Sequence, residues 1–358
     1  QAEDGIRDVE RSRGLGDVYK RQISVKPQKS LVNGQGKLDM MDLNQYMQRA
    51  QRGVYTNAMT AFALLLSLAS TALVAQDVGK PAFTSHRVTQ SIAMLEPADT
   101  NGNVGVFFGD EAVLLIDSHY ERNVEALVAE VAKLTDLPIS FAVNTHIHPD
   151  HIGGNARLAS YGVTLVAHDS VRLRMLKELR IPRRGGITFP QPAEAARPVI
   201  TYSEALSFHL NNEEVRVFLA PPAHTDGDSF VHFVDSDVLH LGDVFRTNMY
   251  PIIDQFNGGS FLGMIAAMQI AIELAGPDTK VIPGHGWEVS DRAGMIEVHA
   301  MLSLLRDRVQ TAIESGASLD EIAAMNLSQD IDGRWGSVPS WTFTDLLPII
   351  ESELRAQR

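Results

Sequence analysis

The chain has no cysteine, no excess of basic residues and no apolar run long enough to span a bilayer comfortably. Without cysteine there is no disulfide framework, thiolate nucleophile, iron–sulfur cluster or cysteine-ligated zinc finger. Any metal has to sit on nitrogen and oxygen ligands. Lys and Arg total 31 against 44 Asp and Glu, a net charge of −13, the opposite of the basic stripe that nucleic acid requires. No nucleic-acid partner is expected. What the chain does have is 44% hydrophobic residues and 12 histidines in 358 positions. At ~150 residues per domain this length holds one large domain or two ordinary ones.

Residues 1–58 lack apolar periodicity and are rich in Gln, Arg, Gly, Asp and Lys, so they have little to pack into a core and are expected to be a disordered or non-native leader. The run Ala61 to Ala75 follows Met59-Thr60 without a charge, short of the ~20 residues a membrane helix needs. Arg49 and Arg52 precede it, small residues crowd its end and Gln76-Asp77 follows. That layout predicts a signal peptide over 59–75, cleaved after Ala75, and a periplasmic or secreted product with no stable membrane insertion once it is cut. The alternative, an N-terminal core helix, fits less well because the run is apolar all round. Residues 76–358 then form the functional domain.

In that region short β-rich runs alternate with Gly, Asn and Asp turns (VTQSIAMLE, VGVFFGD, AVLLIDS), then a helix is predicted over 121–133 and a buried strand over 139–145. Further helices are predicted over 156–160 and 170–180, with a strand to His168 between them. The stretch 181–198, with four prolines, two glycines and three arginines, is expected to be a loop, a substrate cover or a surface excursion. Strands resume over 199–202, 206–210, 215–220, 230–234 and 238–241. A helix over 261–274, a strand over 279–282 and helices over 291–314, 319–325 and 343–355 complete the chain. Strands flanked by helices in both halves suggest two facing sheets with helices outside, an α/β (α+β) arrangement.

The segment Asn144-Thr145-His146-Ile147-His148-Pro149-Asp150-His151-Ile152-Gly153-Gly154 places three imidazoles and a carboxylate in six positions directly after a hydrophobic strand. His146 and His148, at alternate positions, point the same way from an extended chain and can grip one metal. Asp150 and His151, in the turn into the next helix, are free to face a second. Gly153 and Gly154 allow close approach of backbone and helix.

His146 to His151, HIHPDH, resembles the HxHxDH signature of the metallo-β-lactamase superfamily, metal-dependent hydrolases with an αββα sandwich, the metallo-β-lactamase fold. Four further motifs match in family order: Asp117 in LLIDS, His224 in PPAHTDGDS, Gly242-Asp243 in VLHLGD and Gly284-His285 in VIPGHG. The resemblance implies that His146, His148 and His224 hold one metal and Asp150, His151 and His285 a second, with Asp243 bridging and Asp117 orienting a ligand ring through its free N–H. This set is similar to the glyoxalase II-like and lactonase-like di-zinc branches. Two Zn2+ per chain are expected, with Fe or Mn open to a carboxylate-bridged site. Two such ions sharing a water bring its pKa toward ~7 and supply hydroxide at neutral pH, with Asp150 as the catalytic group that orients or shuttles its proton.

The resemblance therefore implies a β-lactamase-like, zinc-dependent hydrolysis of an amide, lactone or ester carbonyl in a small-molecule substrate. A promiscuous lactonase or glyoxalase II-like thioesterase is the alternative. Asp243 stands where the best-known β-lactamases have cysteine or serine, which counts against efficient lactam hydrolysis. A mono-iron persulfide dioxygenase-like oxidoreductase is a reading of another class, disfavoured by the intact Asp150, His151, His285 set. Arg246 is expected either to pair with an anionic substrate or to lie on the surface, and Asn248 and Tyr250 either to contact substrate or to shape their loop. Trp287, Trp335 and Trp341 either wall the pocket or pack as core aromatics. His240, three before Asp243, should face away from it, and His119 and His168 end strands at the rim of the ligands.

Overall fold

The computed structural model describes residues 82–99, 101–181, 186–247 and 249–357. The expectations for the leader, for the signal peptide at 59–75 and for Asn248 lie outside the described residues. A seven-stranded sheet runs in the order β1 (Phe83–Arg87), β2 (Ile92–Pro97), β3 (Val104–Phe108), β4 (Val113–Ile116), β5 (Ile139–Asn144), β6 (Thr164–His168), β9 (Ile200–Tyr202). It is an antiparallel meander up to β4 and parallel from β4 to β9. A second sheet runs β10 (Ala205–Leu210), β11 (Glu213–Leu219), β12 (Ser229–Phe233), β13 (Val238–His240), β14 (Lys280–Ile282), β15 (Ser290–Asp291).

Period-two patterning decides what each strand face meets. In β2, Ile92 and Met94 join Phe107, Ile116, Val143, Val215, Val231 and Phe233 between the sheets. The alternate Ala93 and Leu95 face outward onto α1 (Val124–Val131), through Val124, Leu127 and Val131. The second sheet is covered by α5 (Phe261–Leu274), α6 (Arg292–Glu314) and α9 (Phe343–Ala356), which bury Met264, Met268, Leu302, Leu305 and Ile350 with Phe230 and Leu239. The layers are helix, sheet, sheet, helix, as the resemblance implied. Among the described residues no helix is long and apolar enough to cross a membrane.

Caps fix where the long helices begin. Ser260 accepts from Gly263 N and Asp291 from Gly294 N, and Glu353 on α9 also takes the free Phe261 and Leu262 N–H groups, locking α5 to α9. The helix predicted over 170–180 is corrected: α4 is Asp169–Arg174, and the chain then turns back as a hairpin, β7 (Leu179–Ile181) with β8 (Ile187–Phe189). The stretch predicted as a loop from Ile181 therefore contains strand β8. Leu179 and Ile181, cross-strand from Phe189 and Ile187, give the hairpin one apolar face, on which Leu179 and Ile181 are buried.

Candidate metal centre

All five motifs lie at strand ends on one rim of the sandwich. Asp117 follows β4; His146 and His148 follow β5; Asp150 and His151 lie in α2 (Pro149–Ile152). His224 sits in the turn between β11 and β12, Asp243 in the 3-10 turn after β13, and His285 after β14. Two glycines make the approach possible: a Cβ on Gly284 would lie 2.2 Å from Asp243 Oδ1, and Gly242 holds φ 52° with its missing Cβ against Thr145.

The side chains converge into two buried groups, His146, His148, His224, Asp243 and Asp150, His151, His285, whose ligand atoms in each lie within 4.8 Å of one another. His224 Nε2 is 2.9 Å from His148 Nδ1, and His151 Nε2 is 3.4 Å from His285 Nε2. Asp243 reaches both: its Oδ2 is 3.6 Å from His224 Nε2 and 3.3 Å from His285 Nε2, and its Oδ1 is 3.3 Å from His151 Nε2.

Four rings are tethered by the nitrogen that points away from the cluster. His151 Nδ1 donates to Asp117 Oδ2 at 2.7 Å, His148 Nε2 to Asp254 Oδ2 at 2.8 Å and His224 Nδ1 to the Ile252 carbonyl at 2.6 Å. Thr145 Oγ1 donates to Asp117 Oδ2 at 2.8 Å and is left to accept from His146 Nδ1 at 3.0 Å. This network keeps a proton on each outer nitrogen, so that each inner one can offer its lone pair to a cation.

Two of the inner atoms lack partners: His146 Nε2 and Asp243 Oδ1 are buried with no hydrogen bond. Unsatisfied buried polar atoms are costly, and convergent imidazole lone pairs with carboxylates form a donor set that fits divalent metal ions. Electrostatics point the same way. Burial, followed by the neighbouring His151 and His224, keeps His146 well below the usual imidazole range, and burial with His148 beside it takes His224 down to about 3. Burial opposes charge on His151, yet Asp117, Asp243 and Asp150 hold its pKa well above the ordinary value. The carboxylates thus create a strong demand for positive charge.

Arg246, expected to meet an anionic substrate or to lie on the surface, is buried. Its Nη1 donates to Asp243 Oδ2 at 3.0 Å, so its charge is committed to the protein's own carboxylate. Tyr250 requires a correction: it is fully buried among the C-terminal helices, with its hydroxyl donating to Asp332 at 2.8 Å and its ring on Phe343. The chain after Pro251 returns to the centre through Ile252 and Asp254, which turns Tyr250 away. Trp335 and Trp341 pack in the helical core and Trp287 is exposed, so none lines the cleft.

His240 follows Val238 on the face between the sheets, its Nδ1 accepting from Gly242 N, and Gly105 leaves room for its ring. His168 caps α4 and bonds the Ser203 carbonyl, and His119 packs between Phe83 and Tyr120. Sequence reasoning missed Asp254, Thr145 and the Ile252 carbonyl, because no motif spacing marks an oxygen that becomes a partner only through folding.

A narrow cleft opens onto both groups, lined by Asp150, His148, His285, Asp243, Arg246 and Tyr120 and walled by Ile181, Ile187, Phe189 and Ile252. A roomier concavity of about 450 Å³ beside Asn326, Asp332, Thr342 and Phe343 contains no histidine, so the chemistry belongs to the narrow cleft.

The sequence model of the family described as "Metallo-beta-lactamase superfamily" matches residues 98–294, more than half of the chain. A hydroxyacylglutathione hydrolase of Brucella anthropi is 26% identical over 208 residues, 58% of this chain and 70% of the relative. A solved metallo-beta-lactamase from Pontibacter korlensis is similar with a TM-score of 0.52 at 16% identity, covering 62% of this chain and 99% of its own. A stereoselective inverting sec-alkylsulfatase from Pseudomonas sp. is similar with a TM-score of 0.59 at 17% identity, over 76% of this chain and 50% of its own. At these identities the two solved structures establish the fold.

Proposed function

The chain belongs to the metallo-beta-lactamase superfamily, and from that premise we propose that it is a di-zinc hydrolase that cleaves an amide, lactone or ester carbonyl. The observation that carries this reading is the Asp243 carboxylate, which stands between two histidine groups whose inner nitrogens converge on it. His146, His148 and His224 would hold one ion, Asp150, His151 and His285 the other, and Asp243 both. Bound there, the metals would supply Lewis acidity and an acidified water at neutral pH.

The protein's own groups do the rest. His285 and His151 keep the Asp150 carboxyl well below the ordinary range despite its burial. Asp150 would orient an attacking water by accepting its hydrogen bond at a carboxylate oxygen. Ile181, Ile187, Phe189 and Ile252 shield the cleft from bulk water and offer an apolar surface to the substrate. Arg246 balances Asp243, so its Nη1 is not available to clamp a substrate carboxylate. A thioester substrate is the second reading, favoured by the hydroxyacylglutathione hydrolase relative. We also keep the proposal of export through residues 59–75, which would bring the enzyme into contact with lactams, lactones and esters.

The test is metal analysis with a hydrolysis panel on the zinc-loaded chain: nitrocefin, a carbapenem, an acyl-homoserine lactone, a thioester and a phosphodiester. Two zincs with turnover of a carbonyl substrate, abolished in folded His146→Ala and Asp150→Ala, support the proposal. One iron per chain with persulfide oxidation, or full hydrolysis in those variants at full metal content, refutes it.

A further inference from the structure

One buried side chain outside the ligand set joins the cleft wall to a ligand. Asn257, 4% exposed, ends the 3-10 turn Gln255–Asn257. Its Nδ2 donates to Asp254 Oδ2 at 2.6 Å and to the Arg180 carbonyl of β7 at 2.9 Å. Its Oδ1 accepts from Arg174 Nη1 at 3.3 Å, and its backbone N–H donates to Asp254 Oδ1 at 3.1 Å. The same Asp254 Oδ2 accepts from His148 Nε2 at 2.8 Å. A continuous path therefore runs from the hairpin backbone through Asn257 and Asp254 to His148.

We propose that Asn257 is a positioning residue: its amide aims Asp254 at His148 and pins the β7–β8 hairpin over the cleft, so one side chain sets both the direction of a ligand ring and the position of the apolar wall. The proposal rests on the reading of His148 as a metal ligand. Donor and acceptor counting explains why the residue is asparagine. Two N–H groups are needed toward two oxygen acceptors and one oxygen toward the Arg174 guanidinium, which is the full complement of a side-chain amide. Aspartate would keep the contact with Arg174 but would turn an acceptor toward Asp254 and toward Arg180 O. Alanine would lose all three contacts. The hairpin has a further hold, the Arg180 guanidinium over the Phe256 ring at 4.1 Å, so removing the amide loosens the hairpin without releasing it.

The experiment uses the full chain with Asn257→Ala, Asn257→Asp, Asp254→Asn and the double variant Asn257→Ala/Asp254→Asn. The readouts are zinc affinity by competition with a chromophoric chelator, the visible spectrum of the cobalt-loaded protein, and amide exchange at Leu179 to Ile181. Groups that orient a ligand are worth roughly 10–100-fold in metal affinity, and acting at one remove Asn257→Ala should weaken one of the two zinc sites by about tenfold. It should also change the cobalt spectrum and speed exchange in β7. Asn257→Asp should do the same, and it decides the matter if the alanine variant does not fold. In the double variant the loss should be smaller than the product of the single losses, because Asn257 acts through Asp254. Wild-type affinity and spectrum in Asn257→Asp, or fully multiplicative losses, overturn the proposal while leaving the di-zinc reading intact. A wild-type chain that takes up no zinc overturns both.

Discussion

Replacing Asp117 by asparagine tests the tautomer logic of the centre with an isosteric change. Asp117 is fully buried and sits at φ 71°, a left-handed backbone that asparagine accepts more readily than most residues, so the fold should survive. Its Oδ1 accepts from Thr145 N at 2.7 Å, and its Oδ2 from Thr145 Oγ1 at 2.8 Å and His151 Nδ1 at 2.7 Å. In the amide, an NH2 group replaces Oδ2 and faces both donors. His151 can then pair only by moving its proton to Nε2, the atom aimed at Asp243 and His285. The Thr145 hydroxyl, losing its acceptor, can turn toward His146 Nδ1 and displace the proton there as well.

Losing a charge-assisted hydrogen bond costs about 1.5–3 kcal/mol. A tenfold change in affinity corresponds to about 1.4 kcal/mol, so the expected loss is roughly 10–100-fold in zinc affinity, toward the upper end because two rings are disturbed. Chelator competition measures the affinity, ring nitrogen-15 shifts of the zinc-loaded protein report which nitrogen keeps the proton, and far-ultraviolet circular dichroism checks the fold. A folded Asp117→Asn protein that binds two zincs within twofold of wild type, with unchanged tautomers, refutes the reasoning.

Three further outcomes are expected. Arg246→Met removes the Arg partner of a buried carboxylate, which should destabilise the metal-free protein by about 3–5 kcal/mol; bound zinc would replace the lost cation, so urea denaturation should show a smaller loss with zinc, and equal losses would contradict this. Phe233→Ala opens the space between the sheets where Phe233 and Phe107 meet at 5.3 Å between centroids, and should cost about 3–5 kcal/mol in urea denaturation; a loss below about 1 kcal/mol would show that this layer is not close-packed. Burial lowers the pKa of His240 from 6.5 to about 4, so the unfolded chain binds the extra proton between those pH values and stability rises with pH across that window. In metal-free His240→Asn, whose side-chain oxygen can still accept from Gly242 N, the slope of stability against pH between 4 and 6.5 should fall by about one proton's worth; an unchanged slope would mean that His240 titrates normally.

Much of the fold was legible because apolar alternation and turn residues are local signals. The predicted helix over 261–274 matches Phe261–Leu274, and the strands around 139–145 and 206–210 fall within a residue or two of their observed ends. The hairpin was not legible. Its strands are three residues each, too short for a period to register, and the segment before it is compatible with a helix until β8 pairs with it. In the candidate centre, the seven expected ligands come together in the two groups, since chemistry-bearing residue types at strand ends advertise themselves. Tyr250 was misplaced because adjacency in sequence to Asp243 does not set which way a loop side chain turns; burial against Phe343 and the Asp332 carboxylate does.

The sequence by itself determined the kinds of atoms available: nitrogen and oxygen donors without sulfur, grouped after hydrophobic strands in an order that identifies the family. Only the tertiary structure decided which ring nitrogen faces inward, because that depends on oxygens supplied from far along the chain. Asp117 serves His151 across 34 positions, Ile252 serves His224 across 28, and Asp254 serves His148 across 106. Residue type follows from local spacing, whereas a hydrogen-bond direction exists only once distant strands have packed and left a buried N–H a single acceptor within reach.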